Sequence, residues 1–521
     1  MMRTKNSIIN ISVGLGNQLI ITLLSFFSRT VFIHTLGLDY LGVNGLFTNI
    51  LSMLSLAEAG IGSSIIYNLY KPVADQDQHK IILLMKLYKK AYWIIAIIVS
   101  LLGLSLMPFL PHFVKDSSVE HVHLIYLVFL INTVAPYFYQ HKNSFLSVQQ
   151  KGYIVTGLYS VSSIVSAGLR IGILYYTQNY ILYLVIDSFI TIANSIILSV
   201  IVDKMYPYLK NKVNDVLDAV TKSSIFKNVK AIVLQNVGTY LIFGTDNIII
   251  STYVSIAAVG LYSNYNMLID ICRTFVNQVF NNLYHSIGNL VAKESKDKIY
   301  SVYKVTMLLN FWLYSFCAIG MYVLIEPFIT LWIGPKFLMG QLVLIVLMVT
   351  FYERGMRNSI STVKTTAGIF HEDRYAPLAQ AAINLGFSLW LVQSIGIAGV
   401  FIGTLISAVL VPFWTTPYLV YKKVFQRPLF HYYARYLGYA GIGAAACYAT
   451  YLLCGWIPGG TITGFMLKAI VCLTIPNLIY VMLFYKTDEF QYVWGIASGL
   501  VPKLLKRGRR TAHPEVSSGN S

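Results

Sequence analysis

The chain has 521 residues, of which 56% belong to the apolar set and only 12% are charged, and its formal net charge is +18 at neutral pH. A soluble domain is about 45–50% apolar and about 25% charged, so a chain of mean hydropathy +0.63 could not cover its own surface in water. These figures exclude an ordinary soluble enzyme. They predict an all-α polytopic membrane protein, because stretches of the roughly 20 apolar residues needed to cross a bilayer follow one another almost end to end.

In chain order, the apolar runs predict about fourteen transmembrane helices: 8–35, 41–68, 83–110, 121–146, 153–177, 180–202, 229–252, 256–285, 301–325, 340–362, 375–394, 396–420, 432–455 and 462–485. The first follows Arg3 and Lys5, as a signal peptide would. Its apolar run far exceeds an h-region of about 7–15 residues and no small-residue cleavage site interrupts it, so it is expected to remain as a span. The tenth is interrupted by Glu353, Arg354 and Arg357. The five cysteines all sit inside apolar runs, with no CxxC or Cys/His spacing, so they read as small buried hydrophobes. No metal site and no cofactor is expected.

Charge placement predicts orientation. With both termini cytoplasmic, 33 of the 39 Lys and Arg residues fall in inner segments, while the outer loops hold only Lys115 and Lys336. That is the positive-inside pattern. The net charge is therefore mostly topology, and the basic stretch from Lys503 to Arg510 reads as topogenic and lipid-facing rather than as a nucleic-acid site. The outer loops are short, about a dozen residues at most, too small for an extracytoplasmic catalytic domain.

An internal repeat is visible at an offset of about 218. Gly42 falls on Gly260, Lys80 on Lys298 and Lys86 on Lys304; with a one-residue gap, Thr30–Thr35 falls on Asn247–Thr252. Both copies enter from the same side, which implies a parallel repeat. The expected organisation is an N-lobe of six helices over 1–204, a cytoplasmic linker over 205–228, a C-lobe of six helices over 229–421, two further helices over 422–485, and a basic cytoplasmic tail over 486–521.

A charge in mid-membrane costs at least about 2.5–3.5 kcal/mol and normally faces protein or a water-filled cavity, so intramembrane polar residues are the candidate functional ones. By helical rise, Arg29, Arg170 and Asp246 fall in the outer half and Asp187 near the middle. Glu58, Asp270, Arg273, Glu353, Arg354 and Arg357 fall in the inner half. Arg29 and Asp246 occupy nearly equivalent repeat positions and could form a cross-lobe ion pair or a cation site opposite a carboxylate. Alternatively, Arg29 snorkels to the interface. Asp270 and Arg273 are spaced to pair on their own helix. Arg273, Arg354 and Arg357 could form a cationic basin suited to a pyrophosphate, since guanidinium clamps phosphate bidentately. Asn44, Asn264, Gln380 and Asn384 can hydrogen-bond a sugar or a neighbouring helix. Glu58, Asp187, Asp246 and Asp270 are the carboxylates that could bind H⁺ or Na⁺. The sequence contains no P-loop, HExxH or GxSxG, which disfavours an ATP-driven pump.

Two stretches resemble a known family. They are RTVFIHTLGLDYLGVNGLFTNILSMLSLAEAGIGSSIIYNLYKPVADQDQHKI, Arg29 to Ile81, and GIFHEDRYAPLAQAAINLGFSLWLVQSIGIAGVFIGTLIS, Gly368 to Ser407. Both look like segments of bacterial polysaccharide-repeat-unit flippases. These belong to the multidrug/oligosaccharidyl-lipid/polysaccharide (MOP) exporter superfamily, with the multidrug extruders and lipid II flippases. The resemblance implies two six-helix lobes around a central cavity with two helices outside. It also implies movement of an undecaprenyl-pyrophosphate-linked oligosaccharide from the inner to the outer leaflet of the bacterial cytoplasmic membrane, for O-antigen, capsule or exopolysaccharide. By position, Arg29 matches the first-helix arginine that engages pyrophosphate in that family. The implied partners are the lipid-linked oligosaccharide, membrane lipid, H⁺ or Na⁺, and polysaccharide polymerase machinery.

Two other functions compete. A multidrug or cation antiporter shares the fold class but should need few cavity arginines. A membrane polysaccharide polymerase should carry a large outer loop with catalytic groups, which this sequence lacks, so the chain is expected not to be an enzyme.

Overall fold

The structure is a computed structural model. It describes residues 2–58, 61–115, 117–149, 151–211, 244–369 and 372–495, together with a few positions between 213 and 242 and residue 498. The start of the seventh expected span and the basic tail beyond residue 498 lie outside the described residues.

The described residues contain helices and no strand, and ten helical stretches, of which Val122–Val148 and Ile397–Phe425 each join two of the helices named below, are long and apolar enough to cross a membrane. The chain is a polytopic all-α membrane protein. Its helices are α1 (Met2–Leu54), α2 (Ile61–Ala74), α3 (Gln78–Leu106), α4 (Val122–Val134), α5 (Tyr137–Val148), α6 (Gly152–Thr177), α7 (Tyr180–Met205), α8 (244–253) and α9 (Ile256–Lys293). After these come α10 (Lys296–Trp332), α11 (Gln341–Met356), α12 (Asn358–Thr366), α13 (Ala376–Ile395), α14 (Ile397–Leu410), α15 (Pro412–Val420), α16 (Phe430–Gly455) and α17 (Ile462–Phe484).

Several boundaries follow directly from local chemistry. Asp77, Asn179, Ser295 and Thr461 each cap a helix by accepting from the backbone N–H three residues on, satisfying one of the orphan donors of the first turn. Pro136, which has no N–H, separates α4 from α5. The first two expected spans are joined differently from the reading above. No loop of several residues separates them; the two helical stretches of α1 meet at one non-helical residue, Gly37, whose φ of 84° and ψ of −171° suit a residue without Cβ.

The chain divides into two compact units. Unit 1 comprises residues 1–267 and 374–407, and unit 2 comprises residues 268–373 and 408–521. Unit 1 therefore gathers α1 to α8, the first turns of α9, α13 and most of α14. Within it α1 and α9 approach very closely. A Cβ on Gly42 would lie 2.0 Å from the Ile256 carbonyl oxygen, and one on Gly260 would lie 2.4 Å from that of Leu38. Lipid offers no hydrophobic drive for helices to associate, so such small-residue contacts and interhelical hydrogen bonds carry the packing.

Unit 2 is held by an aromatic core. Phe311, Tyr303, Tyr421, Tyr432 and Tyr480 are all fully or almost fully buried. Phe311 stacks on Tyr439 at 4.7 Å between centroids and tilts against Tyr480 at 5.0 Å. Such pairs each contribute about 0.5–1.5 kcal/mol beyond area burial. The outward faces are apolar too, as Ile97 and Leu101 on α3 illustrate, which suits contact with acyl chains.

Candidate functional site

Polar groups inside the apolar frame gather in four places, three in unit 1 and one in unit 2.

The first joins α1 to α9. Arg29 donates from Nε to Asn264 Oδ1 at 3.1 Å and from NH2 to Ser263 Oγ at 2.8 Å. Asn264 is fully buried. Its partner is therefore a neighbouring helix in this conformation. Asn247 on α8 donates from Nδ2 to the Gly45 carbonyl at 3.5 Å. Arg29 and Asp246 do not meet, contrary to the ion pair that their repeat positions suggested.

The second is a buried oxygen cluster on α8, α13 and α14. Asp246 is 6% exposed, Thr404 7% and Asn384 0%. Asn384 Nδ2 donates to Thr404 Oγ1 at 2.9 Å, and Thr404 Oγ1 lies 3.5 Å from Asp246 Oδ1 and 3.2 Å from the Val400 carbonyl. The threonine has one hydrogen to give, so the carboxylate and the carbonyl compete for it. Among the described residues, Asn384 Oδ1 has no donor. Among the described residues, Asp246 forms no ion pair. Gln380, half-buried on α13, sits one turn from Asn384.

The third is a polar cavity among α1, α4, α6 and α7, centred on an ion pair. Arg170 NH1 lies 3.2 Å from Asp187 Oδ1. On one side is a cavity of about 320 Å³, lined by Asn44, Thr48, Ser52, Asn132, Tyr183 and Ser188 among others. On the other is one of about 210 Å³, lined by Ser25, Ser162, Ser163, Ser166, Thr191 and Asn194 among others. Arg170 and Asp187 line both. Asn44 donates to the Tyr180 hydroxyl at 3.2 Å. Glu58, elsewhere in unit 1, accepts from the Tyr92 hydroxyl at 2.6 Å.

The fourth lies in unit 2, where α11 breaks at Arg357. Asn310 on α10 satisfies this buried helix end by donating to the carbonyls of Gly355 at 2.6 Å and Met356 at 3.1 Å, which offsets the orphan acceptors of a terminated helix. Gly355 is needed there because a Cβ would strike the Tyr314 ring at 2.1 Å. Arg357 engages both oxygens of Glu353, NH2 to Oε2 at 3.1 Å. Arg273 pairs with Asp270 at 2.8 Å, as their spacing on one helix suggested. Arg354, exposed, lies within electrostatic reach of both Arg273 and Arg357. Among the described residues the group holds three guanidinium groups and two carboxylates, a formal excess of one positive charge.

The structure therefore brings together Arg29 with Asn264, Asp246 with Asn384, and Arg273 with Arg354, Arg357 and Asp270. It leaves Asn44, Glu58 and Asp187 each with another partner. Thr404, Tyr180, Tyr183 and Asn132 were not singled out in the sequence. The signal for the cavity was nevertheless present as polar stripes at helical spacing: Asn44, Thr48 and Ser52 on α1, and Asp187, Thr191 and Asn194 on α7.

No protein family model matches the sequence, and no curated protein matches it. Solved structures do. The lipid II flippase MurJ, in an inward closed conformation, is 13% identical with a TM-score of 0.63, covering 90% of this chain and 98% of that one. An inward-facing multidrug resistance MATE family transporter of the MOP superfamily is 14% identical at TM-score 0.57, covering 75% and 91%. The Vibrio cholerae MATE transporter VcmN is 15% identical at TM-score 0.51, covering 80% and 98%. The chain has the fold of the MOP exporters and flippases.

Proposed function

We propose that this protein is a flippase that moves a lipid-linked oligosaccharide diphosphate across the bacterial cytoplasmic membrane by alternating access, with both termini cytoplasmic. The observation that carries this reading is the unit 2 arginine group. A site with net positive charge and an exposed guanidinium attracts a diphosphate and repels the organic cations that a drug antiporter would carry. An apolar cavity of about 540 Å³ in unit 2, lined by Ala318, Ile319, Tyr322, Met348, Val349 and Tyr448 among others, would suit the polyprenyl chain of the same substrate. The product would feed cell-surface polysaccharide synthesis such as O-antigen, capsule or exopolysaccharide.

Coupling to H⁺ or Na⁺ is assigned to Asp246. Asp187 already has Arg170 and Asp270 has Arg273, so neither needs an ion. Asp246 is buried with only a shared hydroxyl, and a lone buried carboxylate is costly unless a proton or cation neutralises it. Asn384 Oδ1, Thr404 Oγ1 and the Val400 carbonyl are the additional oxygens at hand.

The test is purified protein in proteoliposomes containing undecaprenyl-diphosphate-linked oligosaccharide, following its outer-leaflet appearance with and without a pH or Na⁺ gradient. Gradient-dependent translocation that is lost in Arg354→Ala supports the proposal. Extrusion of cationic dyes without lipid translocation would overturn it in favour of a cation antiporter, a reading that the MATE-like fold keeps open.

A further inference from the structure

The sequence reads all five cysteines as small buried hydrophobes, and the structure separates them. Cys454 and Cys472 are 3% and 2% exposed, whereas Cys272 on α9 and Cys317 on α10 are only partly buried. Both of the latter belong to unit 2, and their thiols hydrogen-bond to each other. The way the two helices run explains the meeting. α9 ends at Lys293 and α10 begins at Lys296, so the two form an antiparallel hairpin. Its register is fixed by Tyr314, whose hydroxyl donates to Asn277 Oδ1 at 3.2 Å and whose ring stacks on Phe280 at 6.2 Å. About one turn further along α10 and back along α9, that register sets Cys317 against Cys272.

The surroundings are those of a reactive pair. Reactive thiols sit in electropositive, partly exposed places, and a sensing thiol stands next to a second one that resolves it. Cys272 directly precedes Arg273 in the chain, and Tyr314 lies within electrostatic reach of Arg273, Arg354 and Cys317 alike. Two thiols already in hydrogen-bond contact can reach disulfide geometry by side-chain rotation. The tie would fall at a sensitive point. α9 carries Asp270 and Arg273, while α10 carries Asn310, which holds the carbonyls of Gly355 and Met356, and Tyr314, whose ring faces Gly355.

We infer that Cys272 and Cys317 form a peroxide-sensitive clasp that ties α9 to α10 beside the arginine group and brakes transport when closed. The Cys272 thiolate attacks one oxygen of hydrogen peroxide and breaks the O–O bond; the expelled hydroxide recovers the thiol proton as water, and Cys272 is left as a sulfenic acid. Cys317 then attacks the Cys272 sulfur, the S–S bond forms, and the sulfenic hydroxyl leaves with the Cys317 proton as a second water. Two thiols are oxidised and one peroxide is reduced. As a brake the clasp rests on the flippase reading; as a redox pair it is tested separately.

The test uses the full chain with Cys447, Cys454 and Cys472 replaced by alanine, reconstituted in proteoliposomes and exposed to hydrogen peroxide. Remaining thiols are blocked with N-ethylmaleimide, and non-reducing proteolysis with mass spectrometry should find an α9 peptide joined to an α10 peptide within one chain, released by dithiothreitol. In Cys317→Ser no such link forms, and Cys272 should accumulate sulfenic acid that dimedone traps. Peroxide should slow outer-leaflet appearance of undecaprenyl-diphosphate-linked oligosaccharide several-fold, with recovery in dithiothreitol. Cys317→Ser should translocate at the parent rate before oxidation and should escape the slowing. No link within the chain, or a link that leaves translocation unslowed, would overturn the inference. A link with no translocation in either redox state would keep the redox pair and remove the flippase reading. Translocation without a link would do the reverse.

Discussion

Arg29 and Asn247 make the same contact from opposite ends of one local two-fold relation. Arg29 reaches Ser263 on α9, and Asn247 on α8 reaches Gly45 on α1; an offset of 218 carries residue 29 to 247 and 45 to 263. The same offset carries Leu38 to Ile256 and Gly42 to Gly260, the four residues of the close helix contact. The equivalent of the arginine is therefore the amide at 247 and not the neighbouring carboxylate at 246.

Removing the guanidinium should expose this asymmetry. Arg29→Ala leaves the buried Asn264 Oδ1 without its donor, a loss of about 1–3 kcal/mol. Arg29→Lys should rescue only part, because one ammonium cannot reproduce the two-pronged geometry. The double exchange R29N/N247R should recover more stability than either single change predicts. Thermal unfolding of the detergent-solubilised protein, read by size-exclusion fluorescence, checks the ranking.

Gly42→Ala and Gly260→Ala should both abolish stable expression or lower the thermal midpoint sharply, since each Cβ would meet a backbone oxygen that cannot swing away. Gly37→Ala meets nothing within 4 Å; its cost is the positive-φ extended backbone alone, about 1–3 kcal/mol. Expression level and midpoint should rank Gly37→Ala far above the other two.

In unit 2 the three arginines should separate by role. Arg357→Ala strands Glu353, which is 4% exposed, and breaking a buried pair this way costs about 3–5 kcal/mol, so it should fail first as a folding variant. Arg354→Ala should fold normally and bind an undecaprenyl-diphosphate lipid at least about tenfold more weakly, the loss of one charge-assisted contact worth about 1.5–3 kcal/mol. Lipid-binding titration alongside thermal unfolding distinguishes the two.

Asp246→Asn should keep lipid binding while removing the dependence of transport on a pH or Na⁺ gradient. Asp246→Asn should also unfold at a higher temperature than the parent in ion-free buffer, because it replaces an uncompensated buried carboxylate with a neutral amide. Asp187→Asn should leave gradient dependence intact. Transport rates at matched and opposed gradients decide between the two carboxylates.

The membrane class, most span positions and the helix-local pair Asp270–Arg273 were legible in the sequence, because each depends on composition or on neighbours three to four residues apart. The break at Arg357 was visible as an interruption by charge, but its cause was not: Asn310, about 45 residues upstream, supplies the hydrogen bonds that let α11 end there. Arg29 shows the same limit. Its partners lie more than 230 positions away, and a repeat aligned with a one-residue gap set it beside Asp246. The contact geometry removes that gap. Thr404 is an ordinary residue in an apolar helix until α8 and α13 are placed beside it.

The kink at Gly37 has a practical side for topology mapping. Between residues 35 and 41, where hydropathy suggests a loop able to receive an epitope or a reporter enzyme, the two helical stretches of α1 meet at the single non-helical residue Gly37, and Leu38 presses its carbonyl against Gly260. A tag inserted there would shift the register of every helical residue on one side of it and part the glycine contact, so silence from such a fusion would report a broken protein rather than the side of the membrane. The segment 456–461 is exposed except at Ile457; its Pro458 carbonyl packs on Gly464, but Gly459 and Gly460 meet nothing within 4 Å, so the bond between those two glycines is the better place to ask that question.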